Sequence, residues 1–216
     1  MTDPSTTSPW ATRPWTSRIL GRFPRGAILL SVLTFMSYVV GLLRDRVFAR
    51  TFGAGSELDV YNAALVLPEL VLDVLVFAGL SAAFVPILMR TERDDPAQGA
   101  SFARTILTMS FLVMAVAVVV LFLIAPGTVD IVAPGFDAQQ RALYTGVFRQ
   151  MCLTALVFAV SFALGEILVA RQRFLAFGLA PLLYNLGIVL GALLLGPSMG
   201  IEGVAIGTLV GSLLHL

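Results

Sequence analysis

The stretch AILLSVLTFMSYVVGLLRDRVFARTFGAG, residues 27–55, begins as a membrane helix and then places Arg44, Asp45, Arg46 and Arg50 where such a helix should leave the bilayer. If the helix stops near residue 43, these charges sit in an ordinary loop. If it runs on to about residue 50 and ends at the FGAG turn, its roughly 25 residues rise about 37 Å, enough for a tilted span. Arg44 and Asp45 then lie at membrane depth, where a charge costs a few kcal/mol and persists only when paired or facing water. Two readings stay open: arginines that snorkel from a helix end to the interface, and charge held toward a cavity.

Working outward, apolar stretches recur at about 27–50, 60–89, 102–125, 142–170, 176–196 and 201–216. A crossing helix needs roughly 20 residues. Five stretches reach that length, and the sixth stops at sixteen, so the chain reads as part of a longer protein. Hydrophobic residues make up 58% of the 216 and charged ones 12%, with mean hydropathy +0.92. A soluble domain carries about a quarter charged residues, so the expectation is an all-α, polytopic transmembrane helix bundle over 26–216. Residues 1–25, rich in Ser, Thr and Pro with four arginines, read as a disordered basic tail; they lack the apolar core and cleavage site of a signal peptide. The net charge of +1 says nothing about nucleic acid, but no basic run is interleaved with aromatics, so no nucleic-acid partner is expected. The single Cys152 excludes an internal disulfide.

Arginine placement sets the expected orientation. The tail, the turn with Arg90, Arg93 and Arg104, and the turn with Arg171 and Arg173 fall on one side; the intervening turns hold only Arg141. That side is expected to be cytoplasmic, the N-terminus included. Arg44, Arg46 and Arg50 break the pattern if they lie in an outer loop, which favours the longer first helix.

The second stretch carries Asp59, Glu69 and Asp73. Glu69 and Asp73, four apart, share a helix face. Two such carboxylates at membrane depth need help to stay ionised. Three readings stay open: a salt bridge between helices with Arg44 or Arg149, a coupling-ion or proton site, and an interfacial position meeting water. Glu166 is expected to pair with Arg171 or Arg173. No Walker loop, zinc spacing or GxSxG elbow is present, so nothing argues for an enzyme or a bound cofactor beyond an unknown coupling cation. His215, in the last stretch, reads as a packing residue.

GLLRDRVFARTFGAGSELDVYNAALVLPEL (41–70), GLSAAFVPIL (79–88), APGF (133–136) and RQRFLAFGLAPLLYNLGIVLGALLL (171–195) with GIEGVAIGTLVGSLLHL (200–216) resemble, in that order, segments of the MurJ/MviN family of lipid II flippases. The resemblance implies the N-terminal lobe of a two-lobed transporter in the bacterial cytoplasmic membrane. Such a transporter moves a polyprenyl-pyrophosphate-linked glycan lipid by alternating access, without ATP, in concert with cell-wall synthesis proteins. It implies that Arg44 faces the pyrophosphate and that Asp45 or Asp59 balances it when no lipid is bound. Glu69, Asp73 and Arg149 are then candidates for coupling or gating. Tyr38 holds the place of one cavity arginine, and Leu72-Asp73 the place of a basic pair. Alternatives are a paralogue exporting another polyprenyl-linked glycan or a small cationic solute, and an inactive cell-wall scaffold.

Overall fold

The computed structural model of the chain describes residues 25–77 and 84–216, so the expected N-terminal tail lies outside the described residues except for Arg25. Among the described residues the chain is helical throughout, with no strand. The elements are α1 (Arg25–Thr51), α2 (Ser56–Leu72) with a π-helical turn at Asp73–Phe77, α3 (Phe84–Asp94), α4 (Pro96–Val132) and α5 (Ala138–Ala170). They continue with α6 (Phe174–Leu190) and its π-helical turn Gly191–Leu195, α7 (Gly196–Met199) and α8 (Ile201–His215). Four helical segments are long and apolar enough to cross a membrane: Gly26–Thr51, Pro96–Val132, Ala138–Ala170 and Phe174–Met199.

The first helix runs through Arg44, Asp45, Arg46 and Arg50 and ends at Thr51, where Phe52 closes the last turn and Gly53 takes positive φ. Of the 60–89 stretch the structure describes α2 with its π-turn and then α3; residues 78–83 lie outside the described residues. With 11 residues α3 is too short to cross alone. It buries Phe84 and Leu88 and stacks Phe84 on Phe102 of α4. Asp95 reverses the chain, its carboxylate accepting the N–H groups of Ala97 and Gln98 with Pro96 at the first helical position.

Helix α4 outruns its apolar stretch, continuing to Val132 through Pro126. Thr128 helps there: its hydroxyl donates to the Ala125 carbonyl and pairs with the Tyr144 hydroxyl of α5. The turn comes only at APGF. Arg141 pins it, donating to the carbonyls of Phe136 and Pro134 and to Asp130 Oδ1, while Asp137 and Gln140 form a capping box for α5.

Helix α5 is the hub. Its buried stripe of Tyr144, Val147, Phe148, Met151, Cys152, Ala155 and Ala159 meets Val60 and Ala64 of α2 and Met114, Val118, Leu121 and Ala125 of α4. The α5–α6 connection is a Schellman turn: Gln172 N–H bonds Val169 O and Arg173 N–H bonds Leu168 O, with Gln172 at φ 56° where glycine is usual. Helix α8 packs on α5 and on α6, and α1 packs on α6. The α6–α8 seam is built from glycines. A methyl group on Gly191 would lie 2.5 Å from Gly207 Cα, one on Gly207 would lie 2.5 Å from Gly191 Cα, and one on Gly203 would lie 2.7 Å from the carbonyl carbon of Leu195.

The two ends of the bundle differ. Gly26 meets Phe174 at one end, placing the start of α1 beside the Arg171–Arg173 turn. At the other end Glu57 of α2 reaches α8, accepting the Ile201 N–H at 3.1 Å over Gly200, whose φ of 59° and ψ of −138° suit only glycine.

Candidate functional site

The arginine singled out in the first helix is held from two sides. Arg44 donates from Nε and Nη2 to Asp45 Oδ1, at 3.0 and 2.9 Å, and from Nη1 to Asn185 Oδ1 of α6 at 3.0 Å. Asn185 is oriented by its other end, Nδ2 donating to the Pro181 carbonyl at 3.0 Å. Because a guanidinium only donates, the Asn185 oxygen must face it, and the amide nitrogen is left for the carbonyl. Arg44 is about two-thirds buried, whereas Asp45 is 60% exposed. The partner on α6 is therefore neutral, and the anion opposite is the more exposed member of the ion pair.

Helix α1 runs along α6 and touches α2 near the FGAG turn, where Phe48 packs edge-on to Tyr61. The Tyr61 hydroxyl bonds Thr208 of α8, so this contact is tied to the far side of the bundle. Tyr184, beside Asn185, packs against Phe158 of α5. Arg44 thus sits about one helical turn from the Phe48–Tyr61 contact that joins α1 to α2.

Tyr38 is 71% exposed on the uncovered face of α1, seven residues from Asp45 and so on the same side. Asp59, Glu69 and Asp73 are all exposed and form no ion pair among the described residues. The expected salt bridge from Arg44 or Arg149 to Glu69 and Asp73 is not formed. Arg44 is occupied by its sequence neighbour Asp45 and by Asn185, and Arg149 lies over the Phe122 ring of α4, with Cζ 5.1 Å from the centroid. Asp73 opens the π-turn, its N–H shared between the carbonyls of Glu69 and Leu70. Glu166 pairs with neither expected arginine. Arg171 reaches Glu92 of α3 instead, at 2.7 and 3.1 Å, because the α3–α4 hairpin folds against the end of α5. His215 packs against Phe158 and Tyr184, its Nδ1 bonded to the Ser161 hydroxyl. Among the described residues no group of three or more His, Cys, Asp or Glu could hold a metal ion.

Asn185 was missed in the sequence. Its signal is a lone amide in the apolar run PLLYNLG, four residues after Pro181, where a polar group at membrane depth needs a partner.

The family described as "Lipid II flippase MurJ" matches residues 48–216.

The chain belongs to the MurJ family.

The match begins just after the Arg44–Asp45 pair and takes in the rest of the bundle. Among its relatives, the "Probable lipid II flippase MurJ" of Rickettsia prowazekii is 27% identical over 174 residues, covering 80% of this chain and 34% of that protein. That of Thermotoga maritima is 29% identical over 195 residues, covering 88% of this chain and 40% of that protein. A solved structure of lipid II flippase MurJ in an inward closed conformation aligns with a TM-score of 0.71 at 25% identity, covering 87% of this chain and 40% of the other. The chain thus spans about a third to two-fifths of the length of the relatives it matches. It is a multi-pass, all-α membrane bundle of the MurJ type.

Proposed function

We propose that this chain is the N-terminal lobe of a flippase that carries lipid II across the bacterial cytoplasmic membrane by alternating access, with its N-terminus in the cytoplasm. The observation that carries the reading is Arg44. A guanidinium is held within a membrane helix by a neutral amide, with its Nε–Nη2 edge turned to an exposed and exchangeable carboxylate. A pyrophosphate entering the cleft offers that edge stronger acceptors than Asp45 does. Asp45 then swings to water while Asn185 keeps the fork aimed. The relatives' names and the match over 48–216 support lipid II as the cargo. The arginine-rich turns at the Gly26–Phe174 end support the orientation. Asp59, Glu69 and Asp73, unpaired on one side of α2, are the groups from which gating or coupling to an ion gradient or the membrane potential would be built.

Complementation tests this with the complete gene in a bacterium whose own lipid II flippase is shut off. Rescue that is lost in Arg44→Ala, with the variant still folded and inserted, supports it. Rescue by Arg44→Ala removes Arg44 from the mechanism, and failure of the intact protein removes lipid II.

One observation favours a second cargo class. Tyr38, Leu72 and Asp73 stand where the resemblance implies arginines, and the exposed face of α2 is acidic. Another polyprenyl-linked glycan, or a small cationic solute, suits that face better. Transport of such a substrate with no response to added lipid II would decide for it.

A further inference from the structure

We propose that Arg149 forms a second anion site, on the membrane-facing wall of the lobe, that takes the phosphate of a bilayer lipid. The site is separate from the Arg44 cleft and does not depend on which cargo that cleft carries.

Three observations converge on it. First, Arg149 lacks an anion. The ion pairs of the described residues are Arg44–Asp45, Arg141–Asp130 and Arg171–Glu92, and Arg149 belongs to none of them. Its Nε–H is buried without an acceptor, and Oε1 of the adjacent Gln150 is buried without a donor. The guanidinium lies over Phe122, and that stacking offsets only part of the cost of a desolvated charge.

Second, its depth is fixed by α4. The uncharged run Thr105–Gly127 rises about 34 Å, close to the thickness of the hydrocarbon core. Phe122 lies five residues, about 7 Å, inside the end of that run. The Arg141–Asp130 pair marks the polar rim just beyond. The guanidinium therefore sits inside the hydrocarbon but within reach of one boundary, the level at which lipid phosphates begin.

Third, the surroundings face lipid. Val119 and Leu123 of α4 and Leu153 of α5 are exposed around the α4–α5 seam, at 58%, 75% and 41%. An arginine among exposed leucine and valine has apolar chains, not water, beside it. The acceptor that travels with those chains is the phosphodiester of a lipid in the same leaflet. It can meet the fork by a small dip of the headgroup while the chains cover Leu123 and Leu153. The internal rival is Glu202 of α8. Its Oε1 would lie 3.6 Å from a methyl group on Gly146, one turn of α5 from Arg149 toward the rim.

Native mass spectrometry of the full-length protein tests the site, with phosphatidylglycerol as the probe and diacylglycerol of the same chains as its phosphate-free counterpart. Wild type should retain one phosphatidylglycerol that Arg149→Met holds about tenfold more weakly, with diacylglycerol retained by neither. Arg149→Gln serves as a second variant should the methionine protein fail to insert. Equal retention of phosphatidylglycerol by wild type and variant overturns the proposal, as does equal retention of diacylglycerol. Displacement of the lipid by millimolar inorganic phosphate alone would also overturn it, reducing the site to one for the free ion. The last overturning result is a loss of thermal stability in Glu202→Gln equal to that in Arg149→Met and not increased in the double variant. That would make Glu202 the partner.

Discussion

A single methyl group in the α6–α8 seam should be among the most damaging small changes to this bundle. At Gly207 it would lie 2.5 Å from Gly191 Cα and 2.8 Å from Gly187 O; at Gly191 it would lie 2.5 Å from Gly207 Cα and 3.0 Å from Gly203 O. Carbon atoms in good contact are about 3.5–4.0 Å apart, so the helices must part by about 1 Å. The obstacle is backbone on both sides, so no side chain can turn away to absorb it. Overpacking of this kind costs about 1–3 kcal/mol. With backbone as the obstacle the upper part of that range, about 2–3 kcal/mol, applies; alanine returns about 1 kcal/mol of helix propensity, leaving a net loss of roughly 1–2 kcal/mol for Gly207→Ala. Gly41→Ala is the counterpart: nothing lies within 4 Å of its methyl position, so it should stabilise by about 0.5–1 kcal/mol. Equilibrium unfolding in mixed micelles reads both. If Gly207→Ala proves as stable as wild type, or moves in the same direction as Gly41→Ala, the close approach of α6 and α8 is not what holds them together.

Three further outcomes follow from the contacts described. Asn185→Leu should leave the protein folded but cut complementation as deeply as Arg44→Ala, because losing a hydrogen bond to a charged group costs about 1.5–3 kcal/mol and frees the fork from its aim; unchanged rescue would make Asn185 incidental. Glu57→Gln keeps an acceptor for the Ile201 N–H and should be mild, whereas Glu57→Ala should lose about 1 kcal/mol of thermal stability; equal effects would show that the cap is not the cause. Tyr61→Phe and Thr208→Val should each destabilise by about 1 kcal/mol, and the double variant by much less than their sum, since the two hydroxyls satisfy each other; strict additivity in a double-mutant cycle would refute the pairing.

Much of the fold can be read locally, and the failures are instructive. The tripeptide APG occurs twice, at 125–127 and 133–135, and nothing in it distinguishes the two. The first lies inside α4, beside the Thr128 hydroxyl that bonds Ala125 O and meets Tyr144. The second is a turn because Arg141 takes the Pro134 and Phe136 carbonyls. The deciding side chains are outside the tripeptide, so periodicity alone ends the helix too early. The charged end of α1 was more legible: FGAG is a strong stop, and the arginine pattern required a reason for charge before it. The partner of Arg44 was half legible. Asp45 adjoins it in sequence, but Asn185 lies 141 residues away and is brought there only by the packing of α1 on α6. The same limit explains Glu92 and Arg171, whose pairing depends on how the α3–α4 hairpin folds back.

The burial of Cys152, fully enclosed at the centre of α5, makes this chain a natural background for site-directed labelling. A maleimide or nitroxide reagent has no accessible sulfur to find, so the native thiol can stay in place. Cysteines introduced at Tyr38 on α1 and at Leu70 on α2, both well exposed, would carry the only probes. The spacing between those two helices could then be followed by electron spin resonance.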